Sequence, residues 1–319
     1  MKKFAFTMAE ILISLTIVGI VAAITIPALQ GNVNEKTWMT QRKTLYTRMA
    51  QAISMMPSLN DYGVSDDDEK TISNSALAFV AEGLSKSLRI NNICDNDHLI
   101  ECGIPLTVTT MGGETISFPK KISELNPAFT DSTMNPIIDT KAAAFETLNG
   151  ENVAIFYNPY CTSIEARVPY AGNPGYVHDE VFHTQNFMCA NFVYDLNGAK
   201  GPNTFGKDIG FMTALYSTGS VVVAPVPVGK NTTDGLTIFE NSRSLCTQRE
   251  ENSRVPNINE LIAMTYNSKL LNMTAIDSTQ SYWSSSLSGK TYVWIANIKY
   301  LIQGQYGKNS TLQVRCVKR

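Results

Sequence analysis

The sequence contains none of the short motifs that place a catalytic group. It has no GxSxG elbow and no HExxH stretch, and the near miss SGKT at Ser288 lacks the upstream glycine that a phosphate loop requires. The chain therefore reads as a non-enzyme. Its six cysteines include no CxxC pair, which excludes the usual zinc and dithiol redox spacings. Charge is also scarce. Charged residues make up 17% of the chain, and 26 Lys plus Arg against 28 Asp plus Glu leave a formal charge of -2. That balance gives no global footprint for nucleic acid. The cluster that holds two histidines with carboxylates, His178, Asp179, Glu180 and His183, does not align its histidines on one helix face and reads as an exposed loop.

What is present points outside the cytosol. All six cysteines (94, 102, 161, 189, 246 and 316) lie beyond an apolar N-terminal segment, and their even number suggests disulfides in an oxidising compartment. Plentiful Thr, Ser, Asn and Gly fit a secreted, β-rich surface. Lys2 and Lys3 precede an apolar run from Phe6 to Leu29 that only Glu10 interrupts. Such a run is long enough to span a membrane, and the basic pair predicts a cytoplasmic N-terminus with the rest of the chain outside. A carboxylate in hydrocarbon is costly unless paired, so Glu10 calls for a functional reason.

The stretch FTMAEILISLTIVGIVAAITIP, from Phe6 to Pro27, resembles the start of type IV pilins and type II secretion pseudopilins. The resemblance implies that a prepilin peptidase cuts between Ala5 and Phe6 and that the new amine is methylated. It also implies that Glu10 pairs with a neighbouring subunit's amine during assembly. Ala5 stands where the family usually has glycine. The implied partners are other pilin or pseudopilin subunits, the peptidase, an inner-membrane assembly platform and membrane lipid. The implied location is a single-pass inner-membrane anchor, then a pilus or pseudopilus.

Downstream, Val33, Trp38, Leu45, Met49, Ile53 and Met56 recur at helical spacing among Lys36, Arg42, Lys43 and Arg48, so the helix is expected to continue to Pro57. A second helical pattern covers Ile72 to Leu88. Short alternating runs, Thr115 to Phe118, Val153 to Tyr157, Phe187 to Tyr194 and Ser220 to Val223, predict an antiparallel sheet. The expected fold class is α+β: a long hydrophobic N-terminal helix packed on an antiparallel pilin-like head, plus a C-terminal module. The expected partition is a leader at 1–5, the membrane and assembly helix at 6–56, the head at 57–233 and the module at 234–319. The APVPVGKNTTDG stretch supplies the linker between the last two. In the head, Cys161 with Cys189 could staple strands and Cys94 with Cys102 close a local loop.

The last 80 or so residues carry RVPNINELIAM, YWSSSL, YVWIANI and LQVRCVKR in that order, and resemble the C-type-lectin-like modules of bacterial surface proteins. That resemblance implies a disulfide between Cys246 and Cys316. No Glu-Pro-Asn or Trp-Asn-Asp tripeptide occurs, so calcium-dependent sugar binding is not implied. Trp283, Tyr292 and Trp294 could form an aromatic ligand-binding face, although aromatic residues in strands are more often core. Asp195, Asn197, Asn203 and Asp208 sit in an oxygen-rich turn that suits calcium or an ordinary loop, and secretion pseudopilins often bind calcium in a head loop. Two functions follow: a structural filament subunit of the minor class, or a filament-mounted adhesin that binds a glycan or protein through the C-terminal module.

Overall fold

The computed structural model describes residues 8–56, 75–126, 141–158, 187–217, 220–225, 234–249, 253–273, 281–297 and 302–318. Within α1 the side chains of residues 10 and 22–35 fall outside this description. The chain divides into two compact units, Met1–Thr44 and Leu45–Arg319.

Helix α1 runs Met8–Met55 and contributes to both units. In the second unit its last turns bury Leu45, Met49, Ala52 and Ile53, a stripe at the three- and four-residue spacing of one helix face. Arg48 on the same turns donates to Glu151 Oε1 at 2.5 Å, and Glu151 also accepts from Thr147 Oγ1. A short helix α2 (Ser75–Ala78) continues through a π turn (Phe79–Gly83) into a 3-10 turn (Leu84–Lys86). Phe79 there stacks on Tyr157, with ring centroids 4.6 Å apart.

Six strands form an antiparallel sheet in the order β1 (Ile90–Cys94), β4 (Ala143–Thr147), β5 (Asn152–Tyr157), β6 (Phe187–Asp195), β7 (Ile209–Ser217) and β8 (Ser220–Pro225). Every residue of β5 is buried, as expected for a central strand covered on both faces. A hairpin of β2 (Thr107–Thr109) and β3 (Thr115–Ser117) is inserted between β1 and β4. The strands expected at Thr115, Val153, Phe187 and Ser220 are all present.

Beyond residue 233 the chain builds a five-stranded sheet, with β9 (Asp234–Ile238) at one edge. Helix α3 (Phe239–Arg249) and the short strand β10 (Ser253–Arg254) follow, and then helix α4 (Ile258–Tyr266). The other strands are β11 (Ser281–Ser288), β12 (Tyr292–Asn297), β13 (Ile302–Gly307) and β14 (Thr311–Arg315), in the order β13-β12-β11-β14-β9. The pairing of β11 with β14 is parallel and the other pairings are antiparallel. The last strand, β15 (Val317–Lys318), pairs with β10.

Helix α4 joins the two sheets. Asn257 and Glu260 form a reciprocal capping box at its start. Residues Leu261 to Tyr266 are all buried, because α4 lies against β7 and β8 on one side and β11, β12 and β13 on the other. At its end Asn267 exchanges amide hydrogen bonds with Asn191 of β6, at 2.7 and 2.8 Å, and Thr213 of β7 donates to Asn191 at 2.6 Å. A fully buried polar group needs such partners, so this network holds α4 in register with the first sheet.

Two expectations are overturned. The first is the fold class, because a long hydrophobic helix is not shown. The chain is mixed and mostly strands, and the continuous run of described apolar-segment side chains in α1 covers 11 residues, Ile11 to Val21. Farther along, α1 carries Lys36, Arg42, Lys43 and Arg48 and turns its apolar stripe to the protein. The second is the single-pass inner-membrane location. Among the described residues no helix is long and apolar enough to cross a membrane.

Residues on both sides of 233/234 contribute to one buried cluster. One core cluster combines Val108, Phe156, Val193 and Phe211 with Leu261, Met264, Leu270 and Tyr282, so the two sheets share it through α4.

Candidate functional site

The oxygen-rich turn is the connection between β6 and β7, and the structure brings its four predicted residues into one loop. Asp195 and Asp208 are almost fully buried at its two ends. Both Asp208 oxygens are occupied, accepting from the backbone N–H groups of Asn203 at 2.8 Å and Thr204 at 2.9 Å. Asp195 Oδ1 accepts from Asn197 N at 3.0 Å, and Asn197 Nδ2 donates to Gly201 O at 2.6 Å. The loop is tied to the β2–β3 hairpin by Thr109 N donating to Asn203 O and Phe205 N to Thr109 O.

Three oxygens remain without partners. Asp195 Oδ2, Asn197 Oδ1 and Asn203 Oδ1 are buried and accept no hydrogen bond. An unpaired buried acceptor costs about 1–3 kcal/mol, so three within one loop demand an explanation. A hard cation is one that fits, since it prefers carboxylate, amide and backbone oxygens. Asp195 is pushed up to about 7, chiefly by burial, with the Asp208 charge adding to the effect. A positive ion would oppose both causes by favouring the ionised carboxylate. Among the described residues no group of three or more His, Cys, Asp or Glu could hold a metal. Any site here therefore draws on two carboxylates supplemented by neutral oxygens.

The aromatic trio is not brought together. Trp283 is fully buried, donates from Nε1 to Thr237 O at 2.9 Å and meets Phe239 edge-on at 5.7 Å. Neighbouring residues on a strand face opposite ways, so Tyr282 enters the shared core while Trp283 enters a second cluster with Cys246, Val293 and Val314. Tyr292 is exposed and Trp294 half-buried on the other side of β12 from Val293. Trp283 is thus a core residue, and an aromatic face would comprise only the other two.

Both testable disulfides form: Cys94 to Cys102 at 2.05 Å and Cys246 to Cys316 at 2.14 Å. Cys189 is also disulfide-bonded, whereas Cys161 lies outside the described residues. Arg254 holds Glu260 through two bonds of 2.6 and 2.7 Å, and buried Arg315 donates to Leu271 O at 2.6 Å. The processing positions Ala5 and Phe6 and the His178 to His183 cluster lie outside the described residues. So does the side chain of Glu10, although its backbone is in α1.

The described apolar side chains from Ile11 to Val21 are all exposed. Leu12, Leu15 and Val18 leave 62%, 63% and 65% of their surface open, and Ile11, Ile13, Ile17, Ile20 and Val21 are similarly placed. These residues point all round the helix, so no single face of it is covered.

Sequence reasoning missed a cleft of about 970 Å3 at the start of α3, bordered by β10 and by the ends of β11 and β13. Its walls come from four separated segments, so no local motif announces it. The chain matches no known family model and no curated protein.

Proposed function

We propose that this chain is a structural subunit, of the minor class, in a filament of the type IV pilus or type II secretion pseudopilus kind. The observation that carries the reading is the exposed apolar stretch of α1 from Ile11 to Val21. A contiguous apolar surface of this kind marks an interaction site. The partner that suits it is the same helix of neighbouring subunits, since apolar residues on all sides fit a helix packed among several others. Cleavage between Ala5 and Phe6 would create the amine that Glu10 of the adjoining copy binds. The pair offsets two desolvation penalties and fixes the axial register.

Filament incorporation of Glu10→Ala tests this reading. The variant should accumulate to normal levels and be missing from filaments, and normal incorporation would contradict it. The intact mass of the mature chain tests processing independently, with a retained Met1 to Ala5 leader as the contrary result.

The β6–β7 loop is part of the proposal as a calcium site, with Asp195, Asn197, Asn203 and Asp208 as the residues that would hold the ion. Its role would be structural, joining the two ends of the loop. A second reading, a filament-mounted adhesin, is favoured by the cleft beside α3. Its test is binding of a glycan to the full chain.

A further inference from the structure

The β2–β3 hairpin is too small to order itself. Each strand has three residues, and a two-stranded ribbon of that length is marginal in water. Apart from Val108 and Ile116, which meet the shared core, its order comes from two backbone contacts. Along its side, β2 takes the β6–β7 loop as a neighbour: Thr109 N donates to Asn203 O at 2.9 Å and Phe205 N to Thr109 O at 2.8 Å. Its tip, Met111 and Gly112, reaches the turn that follows α4. Met111 N donates to Leu270 O at 3.1 Å, and Gly112 lies so close to the Asn272 amide that a Cβ would overlap it. Arg315 of β14 completes this junction, donating from Nη2 to Leu271 O at 2.6 Å and to Met111 Sδ at 3.7 Å. The same turn starts at Asn267, which bonds Asn191 of the first sheet. The hairpin thus runs from the loop with unpaired oxygens to the place where the two sheets meet.

We infer that the hairpin is a strap through which cation occupancy of the β6–β7 loop controls the order of the turn after α4, and with it the seating of the C-terminal sheet. Asn203 is the joint. Its Oδ1 is one of the three buried acceptors without a partner, its N–H is held by Asp208 and its carbonyl by Thr109. It takes a φ of 48°, which is uncommon for a residue with a side chain, although asparagine tolerates it better than most. With three acceptors unpaired, the closed loop is penalised relative to an opened one that gives them to water. A cation among these oxygens favours the closed loop, keeps the Asn203 carbonyl in line with Thr109 and so holds the hairpin tip on Leu270. Without it the ribbon loses its neighbour along β2, and the tip loosens as well.

The inference rests on the calcium reading of the loop and adds a consequence at a distance from it. Hydrogen–deuterium exchange of the full chain, in calcium or in chelator, tests the two separately. Calcium should slow exchange by about tenfold or more at the loop amides of Asn203 and Thr204. The slowing should extend to Thr109, Met111 and the turn amides of Leu271 and Met273, and should exceed any slowing in β5, which reports global stabilisation. Met111→Pro removes the N–H that meets Leu270, at the second position of the 110–113 turn, where proline is favoured. In this variant the slowing should persist at Asn203 and Thr204 and be lost at Leu271 and Met273. Gly112→Leu, which displaces the tip from Asn272, should give the same split. No slowing at Asn203 and Thr204 would defeat the calcium reading and the inference with it. Slowing confined to the loop, slowing at the turn no greater than in β5, or slowing at Leu271 and Met273 that survives both variants would overturn the strap alone.

Discussion

Two stretches of α1 share a helical backbone and meet opposite surroundings. Between Leu45 and Met56, the residues Leu45, Met49, Ala52, Ile53 and Met56 form one stripe that is buried within the sheet-bearing unit. From Ile11 to Val21 they point in every direction and all are exposed. The first stretch is completed within the chain. The second leaves its apolar side chains open, and the proposed assembly would cover them with other copies of the chain.

The largest expected effect separates the two stretches by stability. Met49→Ala removes a fully buried side chain and should lower unfolding free energy by about 2–5 kcal/mol in denaturant titration. Leu15→Ala should change it by less than about 0.5 kcal/mol. Equal losses would break the comparison.

Arg48→Ala comes next. It leaves the Glu151 carboxylate, 5% exposed, without its cationic partner and should cost about 1–3 kcal/mol. The partly exposed Arg48 makes the lower half of that range the expectation. Rescue by a second substitution, Glu151→Gln, would show that the stranded carboxylate is responsible.

A region outside α1 provides the third test. Calcium at about one hundred times its Kd should stabilise the chain by about 2.7 kcal/mol, seen as a rise of several degrees in the thermal midpoint. Asp195→Asn should abolish that rise. A rise that persists in the variant would remove the β6–β7 loop from the account.

The smallest effect is a pH dependence at the Cys94 to Cys102 loop, where His98 Nδ1 lies 2.6 Å from Asp95 Oδ1. That hydrogen bond is the main cause of a raised His98 pKa and a lowered Asp95 pKa. For the raised histidine the stabilisation is full below about pH 6.5 and fades as pH rises through the folded-state value. For the lowered carboxylate it is full above about pH 3.9 and fades as pH falls through the folded-state value. Both groups are exposed and the effect on stability should be slight. A histidine titration by NMR should return toward the ordinary value in Asp95→Asn.

Much of the head was legible. Alternation bounded by turn residues located β5, β6 and β8, and the mixture of Asp, Asn, Gly and Pro after Tyr194 located a loop that does leave buried oxygens unpaired. The shared core was not read, because Pro and Gly between Ala224 and Gly235 report local turn chemistry and say nothing of what packs across the turn. The signal lay elsewhere, in INELIAMTY, whose apolar residues occupy every face of α4 and require cover on both sides. Whether Trp283 faces the core or a ligand was left open for a related reason. Composition shows an aromatic residue, whereas only strand register decides which face it takes, and here it faces Cys246 and Val314.

The central claim is that residues 11–21 of α1 are covered by other copies of the chain. A photoreactive amino acid at Leu15, activated in cells that assemble the filament, tests it most directly. The predicted result is a cross-linked species of two chains joined through their α1 segments, absent when the same residue is placed at exposed Glu114. Cross-links that never join two copies, or that form equally from position 114, would contradict it.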